Sequence, residues 1–157
     1  MRRCALVAIG LLTLPVFGAE GLLGYYRHPA LNDDTIVFYA ESDLWRVPVN
    51  GGTARRLTTH LERERFPCIS PNGETVAFTA SYDGTHEIYL MPLEGGRPRR
   101  VTHEGISGRR SPRPVSWKSD TELVYATWYF ATRDTHQLAI LNVETGNKKL
   151  LPLEQAS

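Results

Sequence analysis

A repeat of about 44 residues is the feature that most constrains how this chain folds. The first copy, DTIVFYAESDLWRVPVNGGTARRLTTH, begins at Asp34, and the second, GETVAFTASYDGTHEIYLMPLEGGRPRRVTH, begins at Gly73. Each copy has two β-rich runs joined by a polar turn, then Pro, a Gly-Gly turn, arginines and an ending in Leu-Thr or Val-Thr. Repetition at this period is typical of solenoids, propellers and arrays.

A third, more divergent copy, RPVSWKSDTELVYATWYFATRDTHQLAILNVETGNKKLLPL, begins at Arg113. Apolar and polar residues alternate through all three copies after residue 24, and no helical period competes with that alternation. Each copy is therefore predicted to hold four strands. The predicted strands are 25–31, 34–40, 43–49 and 53–58; 65–70, 74–80, 86–92 and 97–102; and 112–117, 121–128, 136–143 and 147–152.

The stretch FPCISPNGETVAFTA, residues 66–80, shows how one copy turns. Pro71 presets the first central position of a tight turn, Asn72 tolerates the second, and Gly73 takes a positive φ without steric cost. Alternating apolar runs flank the turn, so the pattern predicts a β-hairpin.

Four antiparallel strands in a repeat of this length predict an all-β fold, a β-propeller. The blades are predicted at about 24–62, 63–105 and 106–153. Trp45, Tyr89 and Leu138 occupy similar places on the third strands and are predicted to pack between neighbouring blades. Because a propeller closes with about four to eight blades, three blades either assemble with other chains or form the front of a longer protein.

The N-terminus, MRRCALVAIGLLTLPVFGAEG, has the layout of a secretory signal peptide: two arginines, a short apolar run and small residues. Residues 1–18 are predicted to be removed after Gly18, and the apolar run is too short to span a bilayer comfortably. With 18 Lys and Arg against 17 Asp and Glu, removing two arginines changes the net charge from +1 to about −1. This balance does not favour a nucleic-acid partner.

Motifs for catalysis and metal binding are missing from the sequence. It contains no G-x-S-x-G nucleophile elbow, no H-E-x-x-H pair and no calcium loop. We therefore expect no catalytic residues, no metal and no cofactor in this chain. Cys68 remains alone after signal removal and is interpreted as a buried packing residue.

One loop, THEGISGRRSPRP, carries Arg109 and Arg110 between the second and third predicted blades. Two adjacent guanidiniums bind a carboxylate through bidentate, charge-assisted hydrogen bonds. The residues alone leave open a second interpretation, in which both are exposed loop arginines without a role.

The stretches FYAESDLWRVPVNGGTARRLT, ISPNGETVAFTA and EIYLMPLEGGRPRRVT resemble the six-bladed, TolB-like propeller that opens the tricorn proteases, large multidomain serine peptidases. The resemblance covers about residues 24–153. It implies an incomplete six-bladed TolB-like propeller that forms part of a gated peptide channel. It also implies that Arg109 and Arg110 hold the C-terminal carboxylate of a peptide substrate, while a PDZ-linked domain absent from this chain supplies the catalytic Ser and His.

Two functions follow as hypotheses. In the first, the chain is the N-terminal propeller portion of an exported tricorn-like serine peptidase, periplasmic or secreted. Its partners are then a peptide, the rest of the propeller and the peptidase domains or other chains, in a homo-oligomer when complete. In the second, it is a TolB-like module that binds proteins or peptides without catalysis. A cytoplasmic location, as in the namesake family, is the alternative to export.

Overall fold

The computed structural model describes residues 25–106, 108–129 and 136–152. The predicted signal peptide, residues 1–18, lies outside the described residues. The strands are β1 Arg27–Asn32, β2 Thr35–Ala40, β3 Asp43–Pro48, β4 Arg55–Arg56, β5 Arg65–Ile69, β6 Thr75–Ala80, β7 Glu87–Pro92, β8 Arg99–Arg100, β9 Arg113–Trp117, β10 Glu122–Thr127, β11 Gln137–Asn142 and β12 Lys148–Leu150. A 3-10 turn, Gly108–Arg110, precedes β9.

These strands form three four-stranded antiparallel sheets, each in chain order, which we call blades 1, 2 and 3. The predicted fold class is confirmed, and all the predicted strands are present in the predicted order. The outer strands are shorter than predicted. In blade 1 the reason is a side-chain hydrogen bond. The Leu44 N–H donates to the Thr58 hydroxyl at 2.8 Å, so this side chain takes the place of a backbone acceptor at the end of the fourth strand.

The predicted turn at 70–73 is also present. The Gly73 N–H donates to the Ser70 carbonyl at 2.9 Å, and Gly73 has a φ of 71°. A left-handed conformation of this kind favours glycine because it has no Cβ. The Asn32 side chain donates to the Ser70 carbonyl at 2.6 Å, which ties this turn of blade 2 to β1 of blade 1.

Blade 2 is packed on both faces. One apolar cluster joins it to blade 1 and a second joins it to blade 3. The first contains Val37, Leu44, Ile69, Val76, Phe78, Ala80, Tyr89, Met91 and Leu93. The second contains Ala77, Ile88, Leu90, Leu123, Tyr125, Ala139, Leu141 and Val143. Alternate residues of β6 and β7 therefore face opposite neighbours, which explains why consecutive residues, 76–78 in β6 and 88–91 in β7, are apolar.

Tyr89 packs between neighbouring blades as predicted, whereas Leu138 is not at the place equivalent to Trp45 and Tyr89. Tyr89 lies between blades 1 and 2, opposite Arg100 in the neighbouring strand. The residue with the same pairing in blade 3 is Ala139, opposite Leu150, while Leu138 lies outside the apolar cluster shared with blade 2. The loop between β10 and β11 is longer than the one between β6 and β7, so the spacing of the second copy does not transfer to the third. Trp45 pairs with Phe38 on the face of blade 1 turned away from blade 2.

The blades are arranged radially. The first strands of the three sheets lie side by side, with β1 against β5 and β5 against β9, while each outer strand mainly contacts its own blade. In a propeller the first strands line the axis, so we call β1, β5 and β9 the inner strands. Among the described residues there is no helix with the length and apolarity to cross a bilayer.

Candidate functional site

A cavity of about 560 Å³ lies where the inner strands of blades 2 and 3 begin. The turn that begins at Gly108 contributes to its lining, as does His136, the residue directly before β11. We call it the axial cavity. Its lining consists of Arg65, Phe66, Gly108, Arg109, Ser111, Arg113, Trp128 and His136.

The two arginines singled out by the sequence lie on one 3-10 turn. Gly108 starts the turn with a φ of 74°, and the Ser111 hydroxyl closes it by donating to the Gly108 carbonyl at 2.8 Å. Arg109 and Arg110 are both exposed. Arg109 lines the axial cavity, whereas Arg110 is not among its lining residues. The fold therefore places one of the two predicted guanidiniums directly at the cavity.

Two further arginines reach the axial cavity from the first positions of inner strands: Arg65 begins β5 and Arg113 begins β9. The Arg113 guanidinium lies 5.3 Å from the centroid of the Phe66 ring and 6.0 Å from that of Trp128. It also contacts the His136 ring nitrogens. Aromatic faces and an imidazole hold this cation in place without neutralising it.

The histidine at the cavity does not add a counter-charge. Burial lowers the pKa of His136, and the neighbouring Arg113 lowers it further. Both effects disfavour the imidazolium, so His136 is neutral at pH 7 and accepts a hydrogen bond from Arg113. The charge of the cavity is therefore that of its guanidiniums.

Three other arginines of the chain have carboxylate partners. Arg46 pairs with Glu94, Arg56 with Asp43 and Arg100 with Asp83. Within the part of the chain that the structure describes, no ion pair involves the cavity arginines Arg65, Arg109 and Arg113. An unpaired, partly desolvated group of guanidiniums is suited to binding a carboxylate or another anion.

The sequence interpretation missed Arg65, Arg113, Trp128 and His136. A signal for the two arginines was present, because an arginine followed by proline within two positions starts each inner strand of these blades. Trp128 and His136 flank a loop whose course the sequence does not specify. Their approach to Arg113 depends on how the hairpin of blade 3 closes.

Cys68 plays no part in this cavity. It packs beside the apolar cluster shared by blades 2 and 3, and its carbonyl accepts a hydrogen bond from the Trp117 indole at 3.0 Å. Burial raises the pKa of the Cys68 thiol to about 11. Because the thiolate is the nucleophilic form, the structure favours the packing role.

Comparison with known proteins identifies the class to which this fold belongs. The model of the tricorn protease N-terminal beta propeller domain matches residues 23–157. The chain belongs to this family.

Among curated proteins, Tricorn protease homolog 1 from Streptomyces coelicolor is 36% identical over 105 residues, covering 67% of this chain and 10% of that protein. The Tricorn protease homolog from Saccharolobus solfataricus is 29% identical over 136 residues, covering 85% of this chain and 12% of that protein. The matched region is thus about a tenth of the length of these relatives.

Solved structures support the fold. TolB from Acinetobacter baumannii superposes with a TM-score of 0.67 at 19% identity, over 83% of this chain and 33% of that one. The tricorn protease superposes with a TM-score of 0.65 at 22% identity, over 78% of this chain and 12% of that one. Both likenesses concern the propeller architecture.

Proposed function

We propose that the three blades form part of a gated peptide channel of an exported tricorn-like serine peptidase. In this proposal Arg109 and Arg110 anchor the C-terminal carboxylate of the peptide, and a domain outside these residues performs proteolysis. The observation that carries the proposal is the position of Arg109 in the axial cavity beside Arg65 and Arg113. Further blades and peptidase domains, or other chains, complete the assembly as a homo-oligomer.

The chemistry of the cavity fits a carboxylate ligand. Arg109 and Arg110 are adjacent on a tight turn, so a carboxylate held by one guanidinium lies within reach of the other. A peptide amide at the same place offers a neutral acceptor with fewer lone pairs and no charge. The site therefore distinguishes a free peptide C-terminus from an amidated one.

Changing both Arg109 and Arg110 to Ala is expected to remove this discrimination. Loss of a charge-assisted hydrogen bond costs about 1.5–3 kcal/mol, or roughly ten- to a hundredfold in affinity. Binding of fluorescein-labelled peptides to the full chain, measured by fluorescence anisotropy, should weaken by this factor for the free-carboxylate peptide. The amidated peptide of the same sequence should bind the parent and the variant equally.

Two further variants sharpen this measurement. Arg109→Ala alone should account for most of the loss, because Arg109 lines the cavity. A Lys pair should restore binding only in part, because lysine keeps the charge and loses the planar fork. Equal free-to-amidated affinity ratios in the parent and the double variant would show that these arginines are not the anchor.

The second candidate function is a TolB-like module that binds proteins or peptides without catalysis. The superposition on TolB, with a TM-score of 0.67, favours this alternative as far as the fold goes. Such a module has no need to distinguish a free C-terminus. Tight peptide binding by the parent with no preference for the free carboxylate would select this function over the first.

Export is the part of the proposal that rests on residues 1–18. An apolar run preceded by arginines and followed by small residues fits removal by signal peptidase. The mature protein is therefore expected to begin at or near Ala19. N-terminal sequencing of the protein from its producing cells checks this, and recovery of an intact Met1 would contradict it.

A further inference from the structure

The strand pairing makes three arginines structurally equivalent. Arg27, Arg65 and Arg113 are each the first residue of an inner strand. Each pairs with the residue at the matching place of the second strand in its blade. These pairs are Arg27 with Tyr39, Arg65 with Thr79, and Arg113 with Ala126. One arginine per blade thus occurs at the same level of the propeller axis.

Contacts between blades show that these positions converge. The His28 ring, next to Arg27, lies 4.4 Å from the Phe66 ring, next to Arg65, measured between centroids. The Arg113 guanidinium in turn covers the same Phe66 ring. The pKa of His28 is lowered first by burial and then by the charges of Arg65, Arg27 and Arg113. The Phe66 ring thus joins His28 of blade 1 to Arg113 of blade 3, and the Arg27 guanidinium beside His28 lies 5.3 Å from the centroid of the Tyr25 ring.

The backbone at two of these positions is specialised. His28 and Phe66, each directly after the arginine, have positive φ values of 51° and 55°. The pairing register shifts at the same places, between Arg27 and Ala30 and between Arg65 and Cys68. A non-glycine residue in this region of φ is uncommon, and bulges of this kind redirect side chains. The same bulge in blades 1 and 2 therefore sets the orientation of Arg27 and Arg65.

Three arginines of the third and fourth strands lie in a different environment. Arg46, Arg56 and Arg100 have carboxylate partners. Within residues 25–106, 108–129 and 136–152, no ion pair involves Arg27, Arg65 or Arg113; their neighbours are aromatic rings and histidines. Three like charges gathered at one level repel one another, so a ligand that brings negative charge stabilises them.

We propose that Arg27, Arg65 and Arg113 form an anion-binding ring around the propeller axis, and that its ligand is a peptide segment with Asp or Glu side chains. This inference rests on the proposed function in one respect, that a peptide occupies the axis. It adds a substrate class: peptides with acidic residues upstream of the C-terminus bind in preference to neutral ones. The ring is distinct from the anchor because it recognises side chains and not the chain end.

The test uses peptides whose chain end cannot occupy the anchor. Two fluorescein-labelled peptides, both amidated at the C-terminus, differ only in carrying three Glu or three Gln residues. We expect the full chain to bind the Glu peptide at least about tenfold more tightly. The preference should decrease as salt is raised, because ionic strength screens exposed charges. Similar affinity for both peptides at low salt would overturn the ring, while the free-carboxylate preference would be unaffected.

A matched pair of variants locates the effect. Arg27→Gln, Arg65→Gln and Arg113→Gln together should remove the preference for the Glu peptide and leave binding of the Gln peptide unchanged. The control combines Arg55→Gln, Arg97→Gln and Lys149→Gln, which removes the same charge from exposed positions away from the inner strands. This control should retain at least half of the preference. Equal losses in the two triple variants would assign the effect to net charge and overturn the ring.

Two further measurements control for misfolding of the variants and for binding of other anions. Circular dichroism and gel filtration compare each variant with the parent. Where the triple variant does not fold, the single substitutions Arg65→Gln and Arg113→Gln, each compared with Arg97→Gln, decide the question. A single-stranded oligonucleotide of equal charge serves as competitor. Displacement of the Glu peptide by the oligonucleotide at a lower concentration than by unlabelled Glu peptide would overturn the assignment to acidic peptides.

Discussion

Replacing Phe78 with Ala is expected to lower the free energy of unfolding of the full chain by about 3–5 kcal/mol. Phe78 has no exposed surface and lies in the cluster between blades 1 and 2. Its ring centroid is 6.2 Å from those of Tyr82 and Tyr89. The substitution removes these ring contacts and leaves a cavity that two β-sheets cannot easily collapse to fill.

Urea unfolding followed by circular dichroism, at one fixed protein concentration, measures this loss. Leu61→Ala is the control, since Leu61 is 97% exposed and its truncation should change stability by less than about 0.5 kcal/mol. A loss below about 1 kcal/mol for Phe78→Ala would mean that blades 1 and 2 do not pack through this cluster in solution.

The second large effect is expected from Thr102→Val, which is predicted to cost about 2–4 kcal/mol. The buried Thr102 hydroxyl donates to the Glu87 carboxylate at 2.6 Å and accepts from the Ile88 N–H at 2.7 Å. Valine has nearly the same shape, so packing is conserved while two buried groups each lose a partner. Glu87 retains the Gly105 N–H at 2.8 Å, which limits the loss.

The other blades provide controls at the same position. In blade 1 the equivalent pair is Thr58 with Asp43, and Asp43 also has Arg56 as a partner, so Thr58→Val should cost less than Thr102→Val. In blade 3 the equivalents are Pro152 and Gln137, and the buried Gln137 Oε1 has no hydrogen-bond partner among the described residues. Gln137→Leu is therefore expected to be neutral or stabilising. Equal losses for Thr102→Val and Thr58→Val would show that the carboxylate network does not control stability.

The blade architecture was predictable because it is encoded locally. The strands and turns of one copy follow from residues within that copy, namely the alternating apolar residues and the turn residues Pro71 and Gly73. The same pattern recurs after about 44 residues, which predicts a further blade. The same reasoning failed at Leu138, because the longer loop in blade 3 changes which residue pairs with the outer strand. Loop length is tolerated over a wide range and leaves little trace in a pattern.

The candidate site also contains residues that the sequence could predict and residues that it could not. Adjacent guanidiniums after two glycines identified Arg109 and Arg110 from the sequence alone, because their proximity is covalent. Arg27, Arg65 and Arg113 belong to three different blades. The proline that follows each of them marks equivalent positions along the chain, but it does not indicate that the three side chains share one space. Their convergence depends on strand register, which fixes the level of each residue along the axis, and on the packing of β1 against β5 and of β5 against β9. The sequence by itself determined the blades and the carboxylate-anchor candidates, whereas only the tertiary structure decided which cations share one space, since long-range packing brings distant residues together.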